Sequence, residues 1–220
     1  MLARLFFADN AMTTPKSPQT ALIHSDYQAP QGRRVSHRGK PRLPLTDHPL
    51  VTLRHLERSD APAWYAYLAD PVVVEHTSWD LRCVDDLQAN FDDYASAEPS
   101  SSIRLAVVLR EGGQLVGTIG FNAISPQHRT AEIAYDLAPA VWGQGVATSV
   151  AASVVDWGFQ RLGFLRIQAT VLESNERSVR VLERCAFERE GYLRCYRQVR
   201  GRSGNFWLYA RLADVPPVAG

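Results

Sequence analysis

The sequence lacks an excess of charge of either sign. Of its 220 residues, 24 are Lys or Arg and 23 are Asp or Glu, which gives a formal net charge of +1. A balanced chain has no general electrostatic attraction for nucleic acid or for an anionic membrane surface. We therefore expect no nucleic-acid partner and no membrane partner, and any electrostatic site must be local.

Cysteine is scarce, and long apolar runs are missing. Cys83, Cys185 and Cys195 are odd in number, widely separated and without the paired spacing of metal ligands, so they predict neither a disulfide framework nor a metal site. This usage suits a reducing compartment. No apolar run approaches the roughly 20 residues of a membrane span. We expect a soluble, cytoplasmic protein without a bound metal.

Proline and polar residues dominate the N-terminal segment, which shows no apolar periodicity. We predict that residues 1–44 form a disordered extension, that residues 45–213 form one domain, and that residues 214–220 are a flexible tail. The basic run "GRRVSHRGKPR" within the extension leaves two interpretations open. It is either a contact for nucleic acid or a membrane surface, or part of a solvated tail or of an over-long translation start, for which Met12 would be the alternative.

The domain itself alternates strand and helix patterns, which predicts a mixed α+β fold. A strand at residues 51–56 precedes two helical stretches, the first opened by Ser59 or Asp60 and ended with the help of Pro71. Two strand patterns then flank Gly112 and Gly113, a strong hairpin signal. A third strand, a helix from Ala147, a strand, a helix opened by Asn175 and two final strands complete the order.

The third strand of this series, "TAEIAYDLA", separates two kinds of side chain. Because strand residues alternate between faces, Thr130, Glu132, Ala134 and Asp136 share one face. The opposite face carries Ala131, Ile133, Tyr135 and Leu137. A glutamate is therefore expected on the polar face of a strand.

The stretch "VWGQGVATSV", residues 141–150, places two glycines directly before a helix. A helix start presents unpaired N–H groups and partial positive charge, so such a turn binds anions, especially phosphates. It has no Lys of a Walker loop and no third glycine of a dinucleotide fingerprint. Taken alone, the two glycines are equally consistent with relief of a tight strand-to-helix turn.

The combination is more specific. The runs "AEIAYDLAPAVWGQGVATSV" and "LRIQATVLESNERSVRVLERCAFEREGYLR" closely resemble the GNAT superfamily of N-acetyltransferases, and within it the ribosomal-protein alanine acetyltransferases. The resemblance covers about residues 48–212. It implies a mostly antiparallel twisted sheet of six to seven strands flanked by about four helices, with acetyl-coenzyme A as acetyl donor. Two positions depart from the family pattern, since Trp142 replaces a usual Gln or Arg, and Leu182 replaces a Tyr that often protonates the leaving thiolate.

The same resemblance implies roles for individual residues. Backbone N–H groups of the glycine turn would hold the pyrophosphate, and the end of the preceding strand would pair with the pantetheine arm. Asn175 would bind the pantetheine, unless it is only a helix cap, and Ser178 would face the thioester sulfur, unless it is only solvated. The implied cofactor-binding set is Asp136, Leu137, Ala138, Trp142, Gly143, Gln144, Gly145, Val146, Ala147, Thr148, Asn175 and Ser178.

The chemistry also requires a base, because a protonated amine cannot attack a thioester. Glu132 is the candidate base and Ser178 the candidate donor to the leaving group; the alternative for Glu132 is an exposed strand glutamate paired with an arginine.

Three functions compete: acetylation of a protein N-terminal amine, acetylation of a small amine, and non-catalytic binding of an acyl-coenzyme A. A closed pocket with Tyr65 and Trp79 as substrate-binding residues would suit a small amine, whereas an open groove would suit a peptide. A monomer or a homodimer is expected.

Overall fold

The computed structural model describes residues 42–214, which fold around one seven-stranded sheet in the order β1-β2-β3-β4-β5-β7-β6. The predicted fold class and sheet are confirmed. The strands are β1 Val51–His55, β2 Ile103–Leu109, β3 Leu115–Ser125, β4 Thr130–Leu137, β5 Arg166–Leu172, β6 Glu188–Val199 and β7 Arg202–Leu212, and the helices are α1 Ala61–Leu68, α2 Pro71–Val74, α3 Gln88–Ala95, α4 Val146–Trp157 and α5 Glu176–Arg184. A π-helical turn, Gly158–Leu162, extends α4.

Pro71 behaves differently from the expectation. The first helix already ends at Leu68, and Pro71 opens the short helix α2 instead of only stopping α1. The side chain of Asp70 caps this turn by accepting a hydrogen bond from the Val72 N–H at 3.0 Å. Proline is well tolerated at the first position of a helix, since its missing N–H would have no helical acceptor there.

Every pair of neighbouring strands is antiparallel except β4 and β5. These two are parallel, and their register covers only Thr130–Glu132 against Arg166–Gln168. Both strands continue beyond this point, β4 to Leu137 and β5 to Leu172. Within residues 42–214, the β5-facing backbone of β4 after Glu132 therefore has no ladder partner in β5, and the sheet opens there.

The two faces of the sheet carry separate apolar clusters. Helices α4 and α5 cover one face, where Val150, Val154 and Leu182 join the larger cluster. Helices α1 and α3 cover the other face, with Trp64 and Phe91 in the second cluster. The alternation of β4 is as expected, because Ile133 and Leu137 belong to the larger cluster while Glu132 and Asp136 are buried polar residues.

The first described residues, Arg42 and Leu43, contact the folded domain. The indole of Trp157 donates to the Arg42 carbonyl at 2.9 Å, and Leu43 packs against the larger cluster. Residues 1–41 and 215–220 lie outside the described residues, so the predicted boundaries of the extension and the tail stay predictions. Across residues 42–214, no helix is long and apolar enough to cross a membrane, and the three cysteines are free.

Candidate active site

The glycine turn before α4 has the geometry of an anion site. Gly143 and Gly145 adopt left-handed φ angles of 74° and 80°, and Gly145 is the N-cap of α4. Gly145 provides no side-chain cap, so the N–H groups of the first turn of α4 are open to a ligand. A Cβ at Gly143 would meet nothing within 4 Å. The turn thus fits a pyrophosphate that approaches the backbone directly.

A segment ahead of β1 braces this turn. The His48 Nε2 atom lies 2.9 Å from the Gln144 carbonyl oxygen, and its Nδ1 accepts from the Leu50 N–H at 3.3 Å. The hydroxyls of Thr46 and Ser149 are 2.9 Å apart. Sequence reasoning missed His48, because the partners are 96 residues apart and no local pattern marks the contact.

Trp142, which departs from the family pattern, contacts the end of β4 and the start of α5. Its Nε1 donates to the Leu137 carbonyl at 2.8 Å, and the Arg177 guanidinium lies 4.6 Å from the ring centroid. The Ala138 N–H donates to Val116 O at 2.8 Å. Two backbone groups of the stretch expected to pair with pantetheine therefore already have protein partners, although a carbonyl oxygen can accept a second hydrogen bond.

The side chain of Asp136 is committed to the protein interior. Arg104 Nη2 donates to Oδ2 at 2.6 Å, Thr118 Oγ1 donates to the same oxygen at 2.8 Å, and Trp64 Nε1 donates to Oδ1 at 3.0 Å. The Tyr67 hydroxyl also donates to Oδ1, and burial followed by the Asp136 charge raises the pKa of Tyr67 well above its usual value. This network ties β4 to α1, so only the backbone of Asp136 is left for a ligand.

Glu132 sits at the last register pair before the sheet opens, opposite Gln168. The residue is 8% exposed, and its Oε1 accepts from Thr170 Oγ1 at 2.8 Å and from Arg197 Nη2 at 3.1 Å. The glutamate is therefore paired with an arginine, as one of the two interpretations expected, but it is buried rather than exposed.

The start of α5 brings together Asn175, Ser178 and a tyrosine that the sequence reasoning left unused. Asn175 is the N-cap, and its Oδ1 accepts from the Ser178 N–H at 3.1 Å. The hydroxyl of Tyr135 is buried without a hydrogen-bond partner among residues 42–214. Burial raises the pKa of this phenol, and the Ser178 hydroxyl acts on it in the opposite direction. Leu182 is buried and 2% exposed. Tyr135 was recognisable in the sequence only as the polar member of an apolar strand face.

The two expected substrate-binding aromatics have different surroundings. Trp79 lines a cavity of about 420 Å³ between α1, α2 and the turn after β6, whereas the Tyr65 hydroxyl donates to Arg82 O at 2.8 Å outside that lining. The lining residues are Leu68, Ala69, Pro71, Val74, Glu75, Trp79, Leu81 and Arg200. A smaller neighbouring cavity of about 210 Å³ shares Glu75 and reaches Ser174 and Arg177 at the start of α5.

Comparisons with known proteins identify the family. The family model of the acetyltransferase (GNAT) domain matches residues 51–188. The uncharacterized N-acetyltransferase YoaA of Bacillus subtilis is 32% identical over 170 residues, which cover 76% of this chain and 96% of that protein. The spermidine N(1)-acetyltransferase of Escherichia coli strain K12 is 30% identical over 143 residues, covering 65% of this chain and 75% of that protein.

Solved structures show the same fold. The spermidine N-acetyltransferase of Vibrio cholerae in complex with CoA and spermine gives a TM-score of 0.67 at 24% identity, covering 74% of this chain and 95% of that chain. The ribosomal-protein-S5-alanine acetyltransferase of Vibrio fischeri gives 0.66 at 19% identity, covering 74% and 93%.

The chain belongs to the GNAT acetyltransferase family. It is an N-acetyltransferase that takes its acetyl group from acetyl-coenzyme A and transfers it to an amine acceptor. In the part of the chain that the structure describes, no group of three or more His, Cys, Asp or Glu side chains is arranged to hold a metal ion.

Proposed function

We propose that this enzyme acetylates the N-terminal amine of a protein or peptide. The observation that carries the proposal is the charge balance of the 420 Å³ cavity. Its walls are largely apolar, with Leu68, Trp79 and Leu81, and its charged lining is one carboxylate, Glu75, and one guanidinium, Arg200. A single ammonium group followed by an apolar side chain matches this lining, whereas a polyamine would bring several cations to a site of no net charge.

One hairpin carries both an arginine of the cavity lining and the arginine that pairs with Glu132. Arg200 follows β6 and donates to the Val74 carbonyl at 2.7 Å, while Arg197, near the end of the same strand, reaches Glu132. We infer that an acceptor amine held between α2 and this hairpin is directed toward Glu132. We assign Glu132 as the base that receives the amine proton, directly or through one water.

The donor side uses mostly backbone. The N–H groups from Gly143 to Thr148 hold the pyrophosphate, the opened edge of β4 pairs with pantetheine, and Asn175 contributes its side-chain amide. Ser178 faces the sulfur. The amine then attacks the carbonyl carbon in a ternary complex, the C–S bond breaks, and the thiolate takes up a proton. Orientation of amine and thioester is worth about 7–11 kcal/mol in favourable cases, so most of the rate is assigned to positioning.

A small-amine acceptor is the competing function, and the sequence similarity to spermidine acetyltransferases supports it. A panel of peptides with different N-terminal residues and of polyamines, assayed by thiol release from acetyl-coenzyme A, separates the two. We expect higher kcat/KM for peptides, with mass spectrometry locating the acetyl group on the α-amine. Higher kcat/KM for spermidine than for every peptide would contradict the proposal.

Two lining variants sharpen this test. Glu75→Gln removes the carboxylate that faces the ammonium, so it should raise KM for peptides about tenfold, the scale of a charged hydrogen bond. Arg200→Glu makes the cavity acidic and should shift preference toward polyamines. Arg161→Glu, on the π-helical turn outside the cavity lining, is the control for a general change of charge.

A cytoplasmic location and a monomeric or homodimeric state also belong to the proposal.

A further inference from the structure

The buried hydroxyl of Tyr135 has no assigned role. Its oxygen makes no hydrogen bond to any group of residues 42–214, and the atom is inaccessible to solvent. An unpaired hydroxyl in a protein interior is costly, so such a group calls for an explanation in the working molecule. Tyr135 lies on β4 beyond Glu132, in the part of the strand that has separated from β5.

The surroundings of this hydroxyl point to the leaving-group side of the reaction. Tyr135 shares its strand face with Ile133 and Leu137, which pack in the cluster under α4 and α5, so it is on the opposite face from Glu132. Burial raises the pKa of the phenol, and two polar side chains also act on it: the Ser178 hydroxyl lowers this pKa, and Cys185 raises it. Leu182, one turn after Ser178, is apolar and supplies no proton.

Cys185 does not compete for the phenol. Its Sγ donates toward the Thr148 carbonyl at 3.5 Å, and burial raises the pKa of this thiol. The Ser178 hydroxyl, in contrast, has no hydrogen-bond partner among the described residues. The backbone N–H of Ser178 donates to Asn175 Oδ1 at 3.1 Å.

We propose that Tyr135 is a positioning residue that acts through Ser178. The phenol donates a hydrogen bond to Ser178 Oγ, which turns the hydroxyl proton of Ser178 toward the thioester sulfur. As the C–S bond breaks, its electron pair moves to sulfur, and Ser178 stabilises the thiolate by donating to it. Tyr135 keeps its own proton throughout, since burial raises the pKa of the phenol above its ordinary value. The thiolate is finally protonated by solvent.

This assignment rests on the proposed transfer reaction, so the test includes a readout that needs no acceptor. A hydrogen bond to the thiolate favours the charged form and lowers the pKa of enzyme-bound coenzyme A thiol. The pKa can be followed by the ultraviolet absorbance of the thiolate in the coenzyme A complex. Tyr135→Phe should raise it by up to about one unit, the equivalent of a tenfold change. This result is independent of which amine the enzyme acetylates.

The kinetic arm is a double-mutant cycle. Tyr135→Phe should lower kcat about two- to tenfold with KM for acetyl-coenzyme A unchanged, which is the scale of one hydrogen bond. The loss should not exceed that of Ser178→Ala, and Tyr135→Phe should cause no further loss in the Ser178→Ala background. Tyr209→Phe is the matched control, because Tyr209 is 2% exposed and its hydroxyl contacts Glu183 at 3.3 Å.

Stability separates positioning from folding. Because Tyr135→Phe keeps the aromatic ring in the cluster under α4 and α5 and removes at most one hydrogen bond, its melting temperature should stay close to that of the parent. Three outcomes overturn the proposal: an unchanged kcat and thiol pKa, an equal loss of kcat in the Ser178→Ala background, or a lower melting temperature with an unchanged thiol pKa. A parent enzyme that shows the lowered thiol pKa but acetylates no amine would overturn the proposed function and leave the role of Tyr135 intact.

Discussion

Arg197 and Glu132 form an ion pair that uses only one oxygen of the carboxylate. The Arg197 Nη2 atom lies 3.1 Å from Oε1, the same oxygen that accepts from Thr170, and the side chains are 39% and 10% exposed. Within residues 42–214, Oε2 accepts no hydrogen bond. The pair therefore orients the carboxylate while leaving one oxygen able to receive a proton at the point where β4 and β5 separate.

Glu132→Gln tests this arrangement. The amide oxygen can still accept from Thr170 and Arg197, but the amide nitrogen that replaces Oε2 cannot take a proton. Turnover should fall by about 10² to 10⁴, the range for a lost general base. The loss should shrink at high pH, where unprotonated amine is abundant. Steady-state rates between about pH 6 and pH 9.5 measure both effects.

Glu190→Gln is the control for this variant, because Glu190 is also a strand carboxylate paired with an arginine, Arg166, at 2.6 Å. It should keep the parent rate. Near-parent turnover of Glu132→Gln at neutral pH would remove Glu132 from the mechanism and leave water as the base.

Gly145→Val should weaken binding of acetyl-coenzyme A. A Cβ at Gly145 meets only His48 Nε2, at 4.0 Å, so the protein itself has room for it. The left-handed backbone at φ 80° disfavours valine by about 1–2 kcal/mol, and the side chain would stand where the phosphates approach. We expect KM for acetyl-coenzyme A to rise about tenfold or more while Gln144→Ala changes it little.

Gly112→Val is the matched control for backbone strain. Gly112 has φ 76°, and a Cβ there would meet nothing within 4 Å, but this glycine lies in the β2–β3 hairpin. The variant should lose similar stability and keep its cofactor affinity. If calorimetry gave Gly145→Val the parent affinity, the turn would not be the phosphate site.

His48→Ala should affect the cofactor without touching the chemistry. The imidazole links the Gln144 carbonyl to the Leu50 N–H at 2.9 and 3.3 Å, and each hydrogen bond is worth about 0.5–1.5 kcal/mol. Losing them frees the turn before α4, so KM for acetyl-coenzyme A should rise several-fold with kcat unchanged. His128→Ala, an exposed histidine between β3 and β4, should change neither constant. A fall in kcat alone would argue against this role.

Features encoded by local patterns were predictable from the sequence. The alternation of β4, the glycine turn and the Asn175 cap each depend on residues a few positions apart, and all three are present. The contacts of His48 and Arg197 were not predictable, because each joins segments distant in the chain, and neither was the burial of the unpaired Tyr135 hydroxyl. The sequence suggested an arginine partner for Glu132 but did not indicate that it is Arg197. The short helix at Pro71 was missed because proline both ends and begins helices.

The domain boundary illustrates the same limit, since composition alone places it between residues 44 and 45. The structure adds a hydrogen bond of 2.9 Å from Trp157 to Arg42 O, packing of Leu43 on the larger cluster, and a buried Pro44. A variant that lacks residues 1–44 should therefore be less stable than one that lacks residues 1–41. The unpaired indole and the lost packing should cost about 1–3 kcal/mol, and each kcal/mol lowers the melting temperature by about 2–4 °C at this size. Thermal unfolding of the two variants side by side gives the difference, and equal melting temperatures would support the predicted boundary at residue 45.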